Sequence, residues 1–229
     1  MNILGIIPAR SGSKGITNKN IIKIKNQNLI SYSIKSAKKS RLLTDKIVST
    51  DSIKIAKISK KELIDVPFLR PKKLASDRSL IVDTLLYCLK KMEKLKKKKY
   101  EYVVLIQPTA PNRKKNEIDQ CIKKIINTNS DSLISLTEVD EPHPFKLKII
   151  KNGIVKNFLK KGKNNYPRQL LPKVYKPSGN IYIFKRKFLI KKDLIGKKQT
   201  FHLVKQKDFV NIDNSDDLFL AKFKLKNEI

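Results

Sequence analysis

The sequence has little of several residue types on which whole classes of protein depend. Its 229 residues include two cysteines, two histidines, seven glycines and no tryptophan. Cys88 and Cys121 provide neither a disulfide framework nor the spacing of a metal site, so both are predicted to be reduced thiols in the core. With two histidines, no Ser-His-Asp or Cys-His catalytic arrangement can be argued.

Long apolar runs are also missing. No stretch approaches the roughly 18 apolar residues of a membrane-spanning helix. The N-terminus, "MNILGIIPAR", lacks the basic region and cleavage site of a signal peptide and is predicted to form a strand. Together with the reduced cysteines, these features predict a cytoplasmic protein without a membrane partner.

Acidic residues are scarce beside basic ones, at 20 against 52, which gives a formal net charge of +32. Seven of the basic residues are arginines, and the lysines concentrate in predicted helices and turns such as "KKMEKLKKKKY". They are not interleaved with the aromatic residues on which nucleic-acid bases stack. A solvated basic surface that attracts anionic ligands is therefore favoured over a nucleic-acid-binding protein.

What the sequence does contain is an alternation of short apolar runs with helical patterns. Continuous apolar runs indicate strands covered on both faces, and hence one α/β domain over 1–229 with a mostly parallel sheet flanked by helices. Strands are predicted at Ile3–Pro8, Ile47–Ser49, Val66–Leu69, Val103–Gln107 and Leu133–Leu136. Helices are predicted at Leu29–Lys39, Ile53–Leu63, Leu80–Lys97 and Glu117–Asn127.

The pattern changes from about Glu141, where prolines and short alternating segments begin. "KLKIIKNGIVKNF" predicts a hairpin that turns at Asn152-Gly153. Residues 141–178 are therefore predicted to form an inserted arm or lid within the domain. The main sheet is predicted to resume at "NIYIF" and "FHLV", before a closing helix from near Asn214 toward Leu225.

The first predicted strand leads into "IIPARSGSKGITNKN", a loop with two glycines and three cations. Ligands of open α/β sheets bind beyond the carboxyl ends of the strands. Gly12 and Gly15 let the backbone approach a ligand, and successive backbone N–H groups in such turns bind anions. Arg10, Lys14 and Lys19 add charge suited to a triphosphate. The spacing matches neither a P-loop nor GxGxxG, so a flexible loop with surface cations is the alternative.

Polar residues also follow the later strands. "VSTD" ends the second strand, where Asp51 or Ser52 is favoured as a helix cap. In "LRPKKLASD", Arg70 follows a predicted strand end and is a candidate site residue. An equal alternative is that Arg70 is a surface cation and Asp77 caps the next helix. In "LIQPTAPNR", two prolines force an extended turn that would project Gln107 from the sheet edge, with a rigid solvated loop as the alternative.

Two late segments complete the set. In "YPRQLLPKVYKPSGNIYI", Arg168 is a candidate partner for an anionic substrate because arginine is rare in this chain. Lys146, in "HPFK", could join it, although a surface cation is the alternative. In "VNIDNSDDL", helix capping explains Asp216 and Asp217 better than it explains Asp213. A hard cation bound to phosphate oxygens needs one or two protein carboxylates, and Asp213 could be one.

In order and spacing, these segments resemble the acylneuraminate cytidylyltransferases, or CMP-sialic acid synthetases. The resemblance runs from about Ile3 to Leu220, and the opening loop is its most specific part. It implies a Rossmann-like nucleotidyltransferase domain with an inserted β-rich arm that helps to form a homodimer. It also implies transfer of CMP from CTP to the anomeric hydroxyl of a nonulosonic, sialic-acid-like sugar acid, with Mg²⁺ as cofactor and pyrophosphate as the second product.

The resemblance also implies roles for individual residues. Arg10, Lys19 and Asp213 would be catalytic, Asp213 would hold Mg²⁺, and Asn20 would contact the cytosine. The nucleotide-binding set would be Arg10, Gly12, Ser13, Lys14, Lys19, Asn20 and Arg70. The sugar-binding set would be Gln107, Lys146, Arg168 and Tyr182.

Departures from the family pattern concern the metal and the acid. Asn211 stands where the family commonly has the first carboxylate of Asp-x-Asp, which leaves open a catalytically weakened homologue. Lys176 and Ser178 replace an arginine and an asparagine on the expected sugar side. The acid is therefore open among N-acetylneuraminate, legionaminic acid and pseudaminic acid, with a Kdo-like acid as a poorer fit to the opening loop.

Overall fold

The structure is a computed structural model that describes residues 1–12, 15–139, 141–160 and 167–226. In this part of the chain the strands are β1 (Ile3–Pro8), β2 (Lys23–Ile24), β3 (Gln27–Asn28), β4 (Asp45–Ser49), β5 (Tyr102–Ile106), β6 (Ser132–Glu138), β7 (Lys148–Lys151), β8 (Ile154–Asn157), β9 (Tyr175–Lys185) and β10 (Gln199–Leu203). The α-helices are α1 (Leu29–Lys39), α2 (Ile53–Lys61), α3 (Ile81–Lys96), α4 (Glu117–Asn127), α5 (Arg186–Leu189) and α6 (Ser215–Lys226).

Six strands form the central sheet, in the order β10-β6-β9-β5-β1-β4. β1 runs parallel to both β4 and β5, and β10 runs parallel to β6. β9 lies between β5 and β6 and is antiparallel to both. The predicted α/β fold with a mostly parallel, helix-flanked sheet is confirmed.

Helices cover both faces of the sheet because the strands carry apolar side chains on both sides. In β1, Ile3 and Ile7 belong to one core cluster, with α1 and α4, whereas Leu4 and Ile6 belong to a second, with α3. A third cluster joins α6 to the small β2–β3 hairpin. This last cluster brings the end of the described chain beside the opening loop.

The predicted strand at Val66–Leu69 is wrong. At this place the structure has a single bridge between Ile47 and Asp65. Pro67 has no N–H to donate to a ladder, and Leu69 is 45% exposed, so burial does not favour a strand there. The predicted bounds of α1 and α4 agree with the structure, and those of α2, α3 and α6 differ by one or two residues.

The predicted hairpin at Asn152-Gly153 is confirmed. β7 and β8 pair antiparallel outside the central sheet, and both turn residues have positive φ, at 51° and 74°. Such a turn favours an Asn-Gly sequence because both residues tolerate this conformation.

Both cysteines are free and buried, as predicted. Burial raises the pKa of Cys88 to about 11. Among the helices of the described residues, none is both long and apolar enough to cross a membrane.

Candidate active site

A cavity of about 600 Å³ opens where β1 and β5 end at the carboxyl edge of the sheet. Its walls come from the opening loop, the segment before α3, the turn after β5 and the segment before α6. Six of the residues proposed from the sequence line this one cavity: Arg10, Lys19, Asn20, Arg70, Gln107 and Asp213.

The opening loop is anchored at two points. Asn20 is 6% exposed, and its side-chain amide donates to the carbonyl oxygen of Arg10 at 2.9 Å. The backbone N–H and hydroxyl of Ser11 donate to the carboxylate of Asp51 at 2.9 and 2.5 Å. Burial alone would raise the pKa of Asp51, but the hydrogen bonds from Ser11 and the charge of Arg70 lower it. Ser52 is the residue that caps α2, whereas Asp51 holds the loop.

Arg10 reaches across the cavity to the segment before α3. Its Nη1 lies 2.7 Å from Oδ1 of Asp77 and 3.5 Å from the carbonyl oxygen of Ala75. Asp77 is thus an ion-pair partner, while Leu80 occupies the N-cap position of α3. The Arg10 side chain is 34% exposed, so its guanidinium is accessible to a ligand in the cavity.

The opposite wall joins the opening loop to the segment before α6. Nζ of Lys19 donates to the carbonyl oxygen of Ile212 at 2.8 Å and to Oδ1 of Asp213 at 3.2 Å. Nδ2 of Asn211 donates to Oδ2 of Asp213 at 2.6 Å. A β-carbon at Gly15 would overlap the carbonyl oxygen of Asp213, so the glycine permits this contact.

Arg70 is a buried cation with unused donors. It is 5% exposed, and its Nη1 donates to the hydroxyl of Thr84 at 3.3 Å. Within the described residues, its Nε and Nη2 have no acceptor. Burial lowers the pKa of Arg70, and the charge of Asp51 opposes that effect. A surface position for Arg70 is therefore wrong, and its free donors suit a polar or anionic ligand in the cavity.

Gln107 lies beside a bend in β9. Gly179 has a φ of 75°, and a β-carbon there would lie 3.1 Å from Oε1 of Gln107 and 3.1 Å from Oδ1 of Asn211. The two side-chain amides therefore flank a glycine that leaves them room. No residue with a β-carbon would fit this bend without displacing one of them.

The other proposed residues are not brought into this lining. Lys146 pairs with Glu141 at 3.4 Å. Tyr182 lies in β9 with its ring stacked on Phe184, and burial raises its pKa, with a backbone hydrogen bond from Gly179 acting in the opposite direction. Gly12 lies in the opening loop but outside the lining. Ser13, Lys14 and the side chain of Arg168 lie outside the described residues.

Sequence reasoning missed two contacts of the site, Asp51 as the anchor of the loop and Asp77 as the partner of Arg10, and it assigned no role to the partly buried Arg113. The signal for Arg113 was its rarity, because it is one of seven arginines and ends the segment "LIQPTAPNR". The ion pair of Arg10 joins residues far apart in sequence, and no local pattern predicts it.

The carboxylate of Asp213 is 63% exposed at the cavity wall. Among the described residues, no group of three or more His, Cys, Asp or Glu could hold a metal ion. A site with one carboxylate fits Mg²⁺ only if phosphate oxygens and water complete the coordination.

The cavity lies at the carboxyl edge of the sheet, where open α/β folds bind their ligands, and the cations of the opening loop suit an anionic ligand there. Residues 4–216 match the family model described as Cytidylyltransferase. The chain belongs to the cytidylyltransferase family.

Individual relatives agree with this assignment. The chain is 33% identical to post-translational flagellin modification protein B of Campylobacter coli, over 99% of this chain and 96% of the relative. It is 33% identical to CMP-N,N'-diacetyllegionaminic acid synthase (98% and 96% covered) and 31% identical to pseudaminic acid cytidylyltransferase (99% and 97%), both of Campylobacter jejuni. A solved CMP:2-keto-3-deoxy-manno-octonic acid synthetase complexed with CTP shares the fold, with a TM-score of 0.73, 14% identity and full coverage of both chains.

Proposed function

We propose that this protein transfers CMP from CTP to the anomeric hydroxyl of a nonulosonic sugar acid and releases pyrophosphate. The observation that carries the proposal is the convergence of Arg10, Lys19, Asn20, Arg70, Gln107 and Asp213 on one cavity in a chain of the cytidylyltransferase family. The names of two relatives support legionaminic or pseudaminic acid as the acceptor at least as well as N-acetylneuraminate.

On the nucleotide side, Arg10 and Lys19 bind the triphosphate, with Arg10 nearest the reacting phosphorus. Gly12, Ser13 and Lys14 complete the phosphate loop. Arg70 and Asn20 hold the nucleoside. The unused hydrogen-bond donors of the buried Arg70 support this role. Arg10, Lys14 and Lys19 neutralise the negative charge that grows on the phosphate oxygens as the anomeric oxygen attacks the α-phosphorus in line and the bond to pyrophosphate breaks.

On the acid side, Gln107 holds the sugar beside the bend at Gly179. Lys146, Arg168 and Tyr182 complete the pocket for the acid. Lys146 and Arg168 belong to the segment 141–178, which we propose to be an arm inserted in a single domain of 1–229.

Asp213 holds Mg²⁺ together with the triphosphate. The bound ion would supply charge neutralisation at the phosphate oxygens. Lys19, whose ammonium already contacts Asp213, orients this carboxylate toward the cavity.

The arm supports a homodimer. The β7–β8 hairpin exposes Ile150, Ile154, Val155 and Phe158, each by more than half of its surface. Such a two-stranded sheet needs a partner surface to bury its apolar residues. The protein acts in the cytoplasm, where CTP is available, and uses neither nucleic acid nor a membrane as partner.

The test is pyrophosphate release from CTP and Mg²⁺ with N-acetylneuraminate, legionaminic acid, pseudaminic acid and Kdo in parallel. Release with one acid, lost in Arg10→Ala and Asp213→Ala, is the expected result. No release with any acid from folded protein that binds CTP would contradict the proposal. A catalytically weakened homologue is then the second candidate, favoured by the amide of Asn211 beside Asp213.

A further inference from the structure

We infer that Arg113 is a positioning residue that sets the distance between Gln107 and the bend at Gly179, and thereby shapes the pocket for the acid. The inference rests on the proposed function, which places the sugar acid beside Gln107 and Gly179. Nothing in the roles described above uses Arg113, although its side chain is partly buried and all of its hydrogen bonds are to protein groups at the end of the sheet.

The guanidinium of Arg113 joins three separate elements. Its Nε and Nη2 donate to the carbonyl oxygen of Asn180, at 2.9 and 2.7 Å. Nη2 also donates to the carbonyl oxygen of Gln107 at 2.5 Å, and Nη1 donates to the hydroxyl of Ser33, in α1, at 2.9 Å.

The position of these contacts in the sheet explains their effect. The antiparallel pairing of β5 and β9 ends with Ile106 opposite Ile181. Gln107 and Asn180 are the next residues along these two segments, where the hydrogen bonds between β5 and β9 have ended. Arg113 bridges their carbonyl oxygens at this point. Its hydrogen bonds therefore replace those of the strand pairing and determine how far the two segments separate.

The separation matters because the side chains of the acid pocket begin here. The amide oxygen of Gln107 lies beside Gly179, the residue directly before Asn180. The amide of Asn180 is held as well, because it donates to Glu117 at 3.1 Å. Both the main chain and the side chain of Asn180 are thus immobilised by the start of α4 and the residues before it.

A charged guanidinium at this position costs desolvation free energy that a purely structural role would not require. Burial lowers its pKa to about 10, opposed by the charge of Glu117, so it stays protonated at neutral pH. All of its hydrogen-bond acceptors among the described residues are neutral oxygens. An apolar side chain of similar volume would fill the space without a buried charge. A planar fork of donors, by contrast, is suited to holding several carbonyl oxygens in one fixed arrangement.

The experiment compares Arg113→Lys with Arg186→Lys. The control also removes an arginine that makes two hydrogen bonds. Arg186 lies in α5, away from the cavity, and donates to the carboxylate of Glu93 at 2.6 and 3.0 Å. Lysine keeps the charge and loses the fork. For Arg113→Lys we expect the KM for the acid to rise at least tenfold while the Kd for CTP, measured by calorimetry, stays within twofold. For Arg186→Lys we expect neither constant to change, even if the melting temperature falls equally.

Hydrogen exchange tests the same inference without turnover. In Arg113→Lys, exchange should accelerate in peptides that cover residues 105–112 and 176–183, and remain unchanged in β1 and α3. If Arg113→Lys does not fold, Ser33→Ala, which removes one acceptor, should raise the KM for the acid two- to fivefold.

Equal losses of CTP and acid affinity, an unchanged KM for the acid, or acceleration of exchange over the whole sheet would overturn the positioning role. Failure of the proposed function is distinguishable, because the wild-type protein would then release no pyrophosphate while the exchange result remains measurable.

Discussion

The two glycines of the opening loop differ in what surrounds them. Gly15 packs against the backbone of Asp213, whereas a β-carbon at Gly12 would meet no described atom within 4 Å. We expect Gly15→Ala to lower the melting temperature by several degrees because backbone must move. Gly12→Ala should leave the melting temperature unchanged and act only on CTP affinity, if the backbone there binds the phosphates as proposed. Thermal unfolding measures the melting temperature of each variant, and calorimetry measures its affinity for CTP. Equal shifts in melting temperature would contradict the difference expected between Gly12 and Gly15.

The exposed ion pair of Arg10 and the catalytic contact proposed for it differ in magnitude. Its pair with Asp77 is partly exposed and is worth about 0–1 kcal/mol of stability. Loss of one donor to a developing oxyanion costs about 10²–10³ in kcat at comparable sites. Arg10→Ala should therefore fold normally and lose about that factor in pyrophosphate release. Arg78→Ala removes an exposed neighbouring arginine and is the control. Similar activity in the two variants would exclude the role assigned to Arg10.

At the scale of elements, Glu117 joins the start of α4 to β9 and β10. Burial alone would raise its pKa, but hydrogen bonds from His202, the Lys114 N–H and Asn180 lower it below its usual value of about 4.5. A carboxylate with a lowered pKa stabilises the fold above its unfolded pKa, and this stabilisation is lost as the pH falls through the folded pKa.

Glu117→Gln should consequently cost about 1–3 kcal/mol of unfolding free energy at pH 7. The difference from wild type should shrink as the pH falls below about 4.5. Urea unfolding at several pH values measures this, with Asp65→Asn, an exposed carboxylate, as the control. A pH-independent difference would show that the charge of Glu117 is not what stabilises the link.

At the scale of the whole molecule, the hairpin predicts the oligomeric state. Ile150 and Val155 lie directly opposite each other and are 76% and 62% exposed. Changing both to Asp should convert a dimer to a monomer, because two desolvated charges in an interface are unfavourable. The core should melt as before, since these side chains do not contact it. Light scattering after gel filtration measures the mass, and Ile53→Asp, at an exposed residue of α2, is the control. A wild-type monomer would contradict the proposed dimer directly.

Most of the central sheet could be predicted because its strands are continuous apolar runs, and α1 and α4 because their apolar spacing is strongly helical. The strand expected at Val66–Leu69 failed because an apolar run of four residues with an internal proline does not by itself decide pairing. The antiparallel direction of β9 is also a property of the assembled sheet. A strand's own residues do not specify which neighbours it will have.

For the site, the sequence by itself determined the residue types and the loop that carries them. A glycine- and cation-rich segment after the first strand, a rare arginine in "LRPKKLASD" and a late aspartate before the closing helix were all visible in the sequence, although in the structure only the first of them follows a strand. The place of the opening loop follows from the rule that ligands bind at the carboxyl ends of parallel strands, whereas Arg70 and Asp213 reach the same cavity from segments outside the sheet.

Only the tertiary structure decided which polar groups satisfy one another. Arg10 faces Asp77, Ser11 bonds Asp51, and Arg70 is buried with donors unused. The rarity of arginine marks Arg113 in the sequence, but only the structure shows that it donates to the carbonyl oxygens of both Gln107 and Asn180. The physical reason is that desolvation and hydrogen-bond partners depend on groups brought together from distant parts of the chain, which local sequence patterns do not encode.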